Sequence, residues 1–424
     1  EEAGLRILGT PPRSIDQAED RHKFSKLLDG LGIKQPAWKE VASAHEAVTF
    51  AEAVDYPVLI RPSYVLSGST MGVASNEAEL ARFFERAVKV SSRYPIVITK
   101  FIEYAKELEF DAVACHGQVV LSAISEHVEN AGVHSGDATL VFPPQRTYLE
   151  TIRRIRKIGA AIAEALRIHG PFNIQFIAKD NEVQVIECNV RASRSFPFVS
   201  KVSTVNFIET ATRVIMGEPV PPVNGAFADL EYVGVKAPQF SFTRLEGADP
   251  TLGVEMASTG EVGCLGDDFE EAFLKALLSV GYRWPVKTIL LSTGPVKDKA
   301  AFLSSARMLE HLGVMLFATK GTAEFLSANG VTPTVLRWPL DGGSSNVIEY
   351  LSEGKIDLVI NIPKNYQEQE LSNDYLIRRK AVDLAIPLFT NIQLAQRFVE
   401  AIARKSLDDL VCKSWSAYRQ GGEC

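Results

Sequence analysis

The chain has 424 residues, enough to bury two or three hydrophobic cores, since single cores stop growing at a few hundred residues. With 46% hydrophobic and 23% charged residues it has an ordinary globular composition, and no apolar run is long enough to cross a bilayer; no membrane partner is expected. A formal net charge of −7 argues against nucleic acid as a bulk partner, so an anionic ligand has to be held by local arginines and backbone N–H groups.

The opening stretch, residues 1–12, reads as the end of an element that begins upstream, without initiator Met or targeting segment, so a fragment is expected. Phe24, Leu27, Leu28 and Leu31 fall at i, i+3, i+4, i+7 and predict an amphipathic helix over 21–31, with Arg21 at its start. Residues 57–62 form a short apolar strand carrying Arg61 at its end. Ser67-Gly-Ser-Thr70 is a small loop whose backbone N–H groups suit a polyphosphate, a plausible lid. Asn76 caps a helix reaching residue 88, and strands follow over 95–102, 107–115 and 118–129. Next comes a polar loop, Ala131-Gly-Val-His134-Ser135-Gly-Asp137. It lacks the G-x-S-x-G elbow of a serine hydrolase, so nucleophilic catalysis is rejected and a polar loop near a nucleotide is preferred.

After a helix presenting Ile152, Ile155, Ile162 and Leu166 comes the most informative segment, Phe172 to Arg194. Two period-two halves flank Lys179-Asp180-Asn181-Glu182, which reads as a hairpin turn. Folding there places Gln175 opposite Glu187, with Asn189 on the same face, and strict alternation groups Ile177 and Val185 with them. Oxygen ligands from Gln, Glu and Asn suit Mg²⁺, and Arg191 and Arg194 bring positive charge for a transferring phosphoryl group. The competing reading is a solvated sheet edge, but polar groups on an inward face need a partner, and a metal is one.

Residues 205–285 read as strands and a final helix of the same domain. Beyond Trp284-Pro285, strands and helices alternate strictly to the end of the chain, which predicts a separate doubly wound parallel α/β domain. Thr319-Lys-Gly-Thr322, Arg337-Trp338 and Asn361 lie at carboxyl ends of its strands, where small anions bind in such sheets. No catalytic pair accompanies them, so binding is expected there. The five cysteines, Cys115, Cys188, Cys264, Cys412 and Cys424, are scattered without metal-type spacing, and a reducing compartment is the default.

Ala18-Glu-Asp-Arg21, Arg61-Pro-Ser-Tyr-Val-Leu-Ser-Gly68, Glu126 to Asp137 and Glu187-Cys-Asn-Val-Arg-Ala-Ser-Arg194 through Lys201 resemble the large-subunit type of carbamoyl phosphate synthetase. The resemblance implies an α/β fold: the tail of a preceding domain over 1–18, an ATP-grasp domain over 19–285, and a methylglyoxal-synthase-like allosteric domain over 286–424. It also implies a missing N-terminal half as partner. The implied reaction takes carbamate and MgATP to carbamoyl phosphate and ADP. By matching positions, Gln175, Glu187 and Asn189 would hold Mg²⁺ or Mn²⁺. Arg21 and Arg61 would meet the phosphates, and Arg191 and Arg194 the carbamate and transferring group. Ile102, Glu107 and Gly132, Val133, His134 and Ser135 would line the nucleotide pocket, and Glu107, His127 and Ser135 fall where the family holds K⁺.

Thr319, Thr322, Trp338 and Asn361 resemble the N-acetylglutamate-activated, urea-cycle-like branch, which implies that effector or a similar small anion and the mitochondrial matrix, with the cytoplasm as alternative. Lys364 and Asp374 depart from that branch, which usually has Asn at both. Two other functions compete: a nucleotide- and effector-binding module inactive without its missing half, and another ATP-grasp carboxylate ligase such as a biotin-dependent carboxylase.

Overall fold

Caps and turns written in the sequence set most element boundaries of the computed structural model, which describes residues 4, 7–62, 71–90, 96–222, 230–341, 345–363 and 368–419. Ser67–Thr70 and Lys364 lie outside the described residues. By contacts the chain forms two units, Glu1–Val233 with Gly253–Met256, and Gly234–Leu252 with Ala257–Cys424.

In the first unit, helices α1 (Pro12–Glu19) and α2 (Arg21–Gly30) meet at Asp20. Its carboxylate accepts the Lys23 N–H at 3.0 Å and so starts α2 beside Arg21. Strand β1 (Trp38–Val41), helix α3 (Ala44–Val54), strands β2 (Val58–Pro62) and β3 (Gly72–Ala74), helix α4 (Glu77–Val90) and strand β4 (Ile96–Lys100) follow. The four strands make an antiparallel sheet in the order β1-β4-β2-β3. Ala47, Ala51, Leu80 and Phe84 of its helices share a core with Val58, Ile60 and Ile98. Asn76 accepts the Glu79 N–H at 3.0 Å, the cap expected there.

A larger antiparallel sheet holds β5 (Lys106–Cys115), β6 (Gln118–Asn130), β7 (Leu140–Phe142), β8 (Gly170–Lys179) and β9 (Glu182–Asn189), in the order β7-β6-β5-β8-β9. Helix α5 (Leu149–Ala165) packs on it through Ile155 and Ile162 against Phe110, Phe172, Ile174 and Phe176. A Cβ at Gly159 would stand 2.6 Å from the Phe110 ring, so glycine is what lets helix and strand approach this closely. Helices α6 (Ser195–Ser203) and α7 (Phe207–Met216) complete the unit's run of elements.

The β8–β9 hairpin turns through Asp180 and Asn181, both left-handed at φ 51° and 62°, the geometry that matches strand twist in a two-residue turn. Its register changes once. Phe176 pairs with Val185, but Gln175 pairs with Glu187, so Ile186 is an extra residue in a β-bulge. The bulge corrects the expected grouping of side chains. Val185 joins Phe176 in the core, whereas Ile177 shares the opposite face with Gln175. Strict alternation fails because one inserted residue shifts the phase of everything beyond it.

In the second unit, β10 (Val233–Gln239) and β11 (Gly260–Gly266) are sheet neighbours, followed by α8 (Phe269–Ser279). Then strands β12 (Thr288–Thr293), β13 (Met315–Thr319), β14 (Thr334–Leu336), β15 (Leu358–Ile362) and β16 (Leu388–Phe389) form an all-parallel sheet in the order β14-β13-β12-β15-β16. Helices α9 (Val296–His311), α10 (Lys320–Ala328), α11 (Val347–Ser352), α12 (Glu368–Asp383) and α13 (Ile392–Arg404) connect and follow them. Strand order runs outward both ways from β12, the doubly wound pattern expected from the alternation. The seam between the units falls upstream of residue 285, because α8 packs with α13: the Arg397 guanidinium lies 3.9 Å from the Phe269 ring centre and Arg404 pairs with Glu270 at 2.7 Å.

Candidate active site

Glu187 is the hub of the first unit's cavity. Strand β9 carries it past the bulge, and its Oε2 accepts from Arg21 Nη2 at 2.7 Å and from Arg61 Nη2 at 3.4 Å. The bulge also frees the Ile186 carbonyl, which accepts from Arg61 at 3.0 Å. Asn189 Nδ2 donates to Glu187 Oε1 at 3.0 Å, and Arg191 donates to Asn189 Oδ1 at 3.2 Å. Gln175 Nε2 donates to Ser135 Oγ at 3.0 Å.

Electrostatics follow from this crowding. Burial alone would raise the Glu187 carboxyl, but Arg21, Arg61 and the Asn189 amide outweigh it and hold it at about 2. Burial and the neighbouring Arg21 push the Arg61 guanidinium down to about 9, although Glu187 opposes them. Burial lifts Glu107 to about 7 despite His127, with Glu109 and Glu187 adding to the rise.

These groups line a cavity of about 400 Å³. The sequence-predicted Arg21, Arg61, Arg191 and Arg194 all face it, as do Gln175, Glu187 and Asn189. So do Ile102, Glu107, Gly132, Val133, His134 and Ser135. Five basic side chains (these four arginines and Lys100) stand against three acidic ones (Glu19, Glu107 and Glu187), so the lining favours an anion. Leu59, Met71, Phe101, Ile102, Ile177 and Met256 give it an apolar part as well. Charged groups for phosphates beside apolar surface for a flat ring is the lining a nucleotide needs. Gly132 is required there: its φ is +117° and a Cβ would meet the Phe101 ring at 2.9 Å. The oxygens of Gln175, Glu187 and Asn189 are hard donors and fit a divalent cation such as Mg²⁺.

His134 and Ser135 are not arranged as a triad. His134 Nδ1 accepts the Gly136 N–H at 3.0 Å, and Ser135 Oγ is engaged by Gln175. His127 does not line the cavity. It is fully buried, with Nε2 3.2 Å from Glu109 Oε1, and Glu107, Glu109 and His127 bring ligand atoms within 4.8 Å of one another.

Sequence reasoning missed a supporting network. Asp111 on β5 accepts from Ser193 and Ser195 at 2.6 Å each and from Asn173 at 2.9 Å. Asn173 also donates to Glu109 at 2.6 Å. Burial, reinforced by Glu109, raises Asp111 to about 6, and its three donors partly offset that. Asp111 thus pins the turn that carries Arg191 and Arg194. Its signal was present: Glu107, Glu109 and Asp111 alternate on a strand otherwise apolar, which marks one buried acidic face.

In the second unit, Thr319 ends β13, Asn361 lies in β15 and Asp374 in α12, all buried. Asp374 accepts from Asn361 at 2.8 Å and from Ser292 at 3.2 Å, and Thr319 donates to Ser292 at 3.2 Å. Arg378 donates to Asn361 Oδ1 at 2.8 Å and pairs with Asp249. Thr322 accepts the Thr293 N–H at 3.0 Å, and it lies inside α10 instead of capping it. Trp338 packs, half-buried, against the core of Leu290, Phe317 and Leu336. Lys299, unnoticed in the sequence, donates to the Gly321 carbonyl at 3.0 Å beside these strand ends.

Residues 20–223 match the family described as carbamoyl-phosphate synthase L chain, ATP binding domain, and residues 301–390 match the MGS-like domain. This stretch, 20–223, belongs to that ATP-binding domain family. It has the ATP-grasp fold and is of the carbamoyl-phosphate synthase large-subunit, C-terminal type, and an MGS-like domain follows it. Multifunctional protein URA2 of Saccharomyces cerevisiae is 54% identical over 94% of this chain and 18% of its own length. Human mitochondrial carbamoyl-phosphate synthase [ammonia] is 48% identical over 98% of this chain and 28% of its own length. The chain therefore spans less than a third of these relatives. Since both kinds match at similar identity, the comparisons do not single out the urea-cycle-like branch. The biotin carboxylase domain of Hydrogenobacter thermophilus 2-oxoglutarate carboxylase, solved with MgADP and bicarbonate, shares the ATP-grasp fold at a TM-score of 0.54 and 17% identity, covering 66% of this chain and 69% of that one.

Proposed function

We propose that this chain carries the carbamate-phosphorylating half of a carbamoyl phosphate synthetase. A carbamate oxygen attacks the γ-phosphorus of ATP, the bond to the β-phosphate oxygen breaks, and carbamoyl phosphate and ADP result. The observation that carries this reading is the convergence of Arg21, Arg61, Arg191 and Arg194 on one cavity with Gln175, Glu187 and Asn189. Phosphoryl transfer needs in-line positioning and charge neutralisation more than a covalent nucleophile. In this reading Arg21 and Arg61 meet phosphate oxygens, and Arg191 and Arg194 hold carbamate and the transferring group. Gln175, Glu187 and Asn189 hold Mg²⁺ or Mn²⁺, which supplies charge neutralisation when bound. Ile102 and the 132–135 loop receive the adenosine, and Glu107, with His127 and Ser135, is assigned to K⁺.

As functional domains, distinct from the two contact units, the proposed layout is a tail over 1–18, the ATP-grasp domain over 19–285 and the allosteric domain over 286–424, joined in the whole enzyme to an N-terminal half. For the last domain we propose a small-anion effector, N-acetylglutamate, held by Thr319, Thr322, Trp338 and Asn361, with Lys364 and Asp374 standing where the urea-cycle-like branch usually has Asn. The nearby Lys299 and the first turn of α10 favour an anion there. The urea-cycle-like branch goes with the mitochondrial matrix and the multifunctional branch with the cytoplasm.

The test is ATP formation from MgADP and carbamoyl phosphate by this chain, with and without N-acetylglutamate. Effector-stimulated formation is expected. Formation without stimulation would retain the catalytic reading and remove the effector. A folded protein that binds MgADP yet forms no ATP would be a binding module that needs its other half.

A further inference from the structure

The end of β5 away from Glu107 carries a second concentration of ligating atoms. Strands β5 and β6 are joined by His116-Gly117, closed by the Cys115 and Gln118 pair. His116 is left-handed at φ 50°, a conformation uncommon for a ring-bearing residue. The turn docks on the segment between α5 and β8. Gly117 N–H donates to the Ile168 carbonyl at 2.7 Å, and the His116 N–H donates to His169 Nδ1 at 3.3 Å. The two imidazoles stack at 4.1 Å between centroids with planes 14° apart. Cys115, His116 and His169 each offer a ligand atom within 4.8 Å of the others.

We propose that Cys115, His116 and His169 form a binding site for a thiophilic divalent cation, Zn²⁺ first among them. A thiolate with two imidazoles suits zinc and its neighbours, and it is a poor donor set for Mg²⁺. Tetrahedral zinc, with bonds of about 2.0 Å to nitrogen and about 2.3 Å to sulfur, needs its ligand atoms about 3.3–3.7 Å apart. Closing the remaining gap takes side-chain rotation at Cys115 and His116, and His169 Nδ1, if it is the ligating nitrogen, gives up the His116 N–H that it accepts at 3.3 Å. His169 is already supported: its backbone N–H donates to Thr10 Oγ1 at 3.0 Å, and its ring also bonds the Val214 carbonyl. A carbonyl on a ligand imidazole's second nitrogen is the usual outer support of a metal site.

Binding would convert the Cys115 thiol to thiolate with release of its proton to solvent, form one sulfur–zinc and two nitrogen–zinc bonds, and leave water in the fourth position. The ion would clasp the β5–β6 turn to the start of β8. At about 3.3 Å per residue, eight residues along β5 separate Cys115 from Glu107 by about 26 Å, so this site stands or falls independently of the nucleotide cavity.

The experiment is a Zn²⁺ titration of the full chain against a chromophoric chelator, with MgADP saturating so that the cavity's oxygen ligands do not compete. Co²⁺ absorption spectra accompany it. One equivalent of zinc is expected, and Cys115→Ser and His169→Gln should each weaken it at least a hundredfold. The Co²⁺ adduct should show a thiolate-to-metal charge-transfer band that Cys115→Ser lacks. His116→Asn guards against a folding artefact, because asparagine is at home in a left-handed turn yet removes the imidazole. It should fold as the parent does and bind at least tenfold more weakly. Zinc affinity that survives both Cys115→Ser and His116→Asn, or a parent chain that takes no zinc from a chelator of micromolar affinity, would overturn the proposal.

Discussion

The two polar clusters of this chain handle charge in opposite ways. Around Glu187, four arginines turn towards a cavity and only two of them, Arg21 and Arg61, touch the central carboxylate. At the strand ends of the second unit, Ser292, Thr319, Asn361, Asp374 and Arg378 bond one another in a closed chain with Asp249. The first arrangement leaves net positive charge facing open volume and suits a highly charged ligand. The second satisfies its buried groups internally, which stabilises the fold but means a ligand has to exchange for bonds already made.

If that contrast is right, the largest effect belongs to Glu187. Glu187→Gln removes the anion that organises Arg21 and Arg61 while keeping the shape, and Mg²⁺-dependent ATP formation should fall on the order of a thousandfold. Normal turnover with unchanged Mg²⁺ dependence would dissolve the contrast from the cavity's side. In the other cluster the main effect should be on stability. Arg378→Met takes the donor from Asn361 Oδ1 and the guanidinium from Asp249, which keeps Thr251, and should cost roughly 2 kcal/mol, less than a fully buried pair because Asp249 is partly exposed. Urea unfolding measures it, and an unchanged midpoint would mean that the closed chain stabilises nothing.

A pH experiment sharpens the first cluster further. Glu107 titrates near 7 in the folded protein, above its unfolded value of 4.5. A raised folded value means its contribution to stability is complete below pH 4.5 and is lost as pH rises through about 7, on the order of 3 kcal/mol at most. Glu107→Gln should therefore gain on the parent between pH 4.5 and 8 in buffer without divalent ions. A constant gap between the two unfolding curves would count against the buried carboxyl. The smallest effect is at Trp338. Trp338→Ala should weaken N-acetylglutamate binding about tenfold by calorimetry and leave nucleotide affinity unchanged. Unaltered effector binding would take Trp338 out of the pocket.

The architecture was legible because it rests on local signals. Asn76 and Asp20 cap where such residues cap, and Asp180-Asn181 turns where such a pair turns. Alternating strands and helices after residue 285 could pack only as a parallel sheet. The cavity lining was legible through Arg61, Glu187 and Arg191 because chemistry-bearing residues clustered in short motifs. What escaped was produced by distance in sequence or by phase. Asp111 reaches Ser193 across 82 positions, and Arg378 reaches Asp249 across 129. Cys115 and His169 belong to no spacing pattern a reader would flag. The bulge at Ile186 left no mark in the hydrophobic alternation, so Val185 was placed on the wrong face.

That one extra residue has a further consequence for how strand length can change over generations. Glu187, Cys188 and Asn189 alternate between cavity and core, and Cys188 is buried among apolar side chains. Deleting Ile186 while the hairpin turn stays fixed would keep Val185 opposite Phe176 and Glu187 opposite Gln175, so the ladder would close up with each side chain on its present face, at the cost of the Ile186 carbonyl that accepts from Arg61. Point substitutions in β9 can be graded in severity, whereas removing one of its regularly paired residues exchanges cavity and core for everything beyond it. Length variation within this hairpin should therefore be confined to its turn and its bulge.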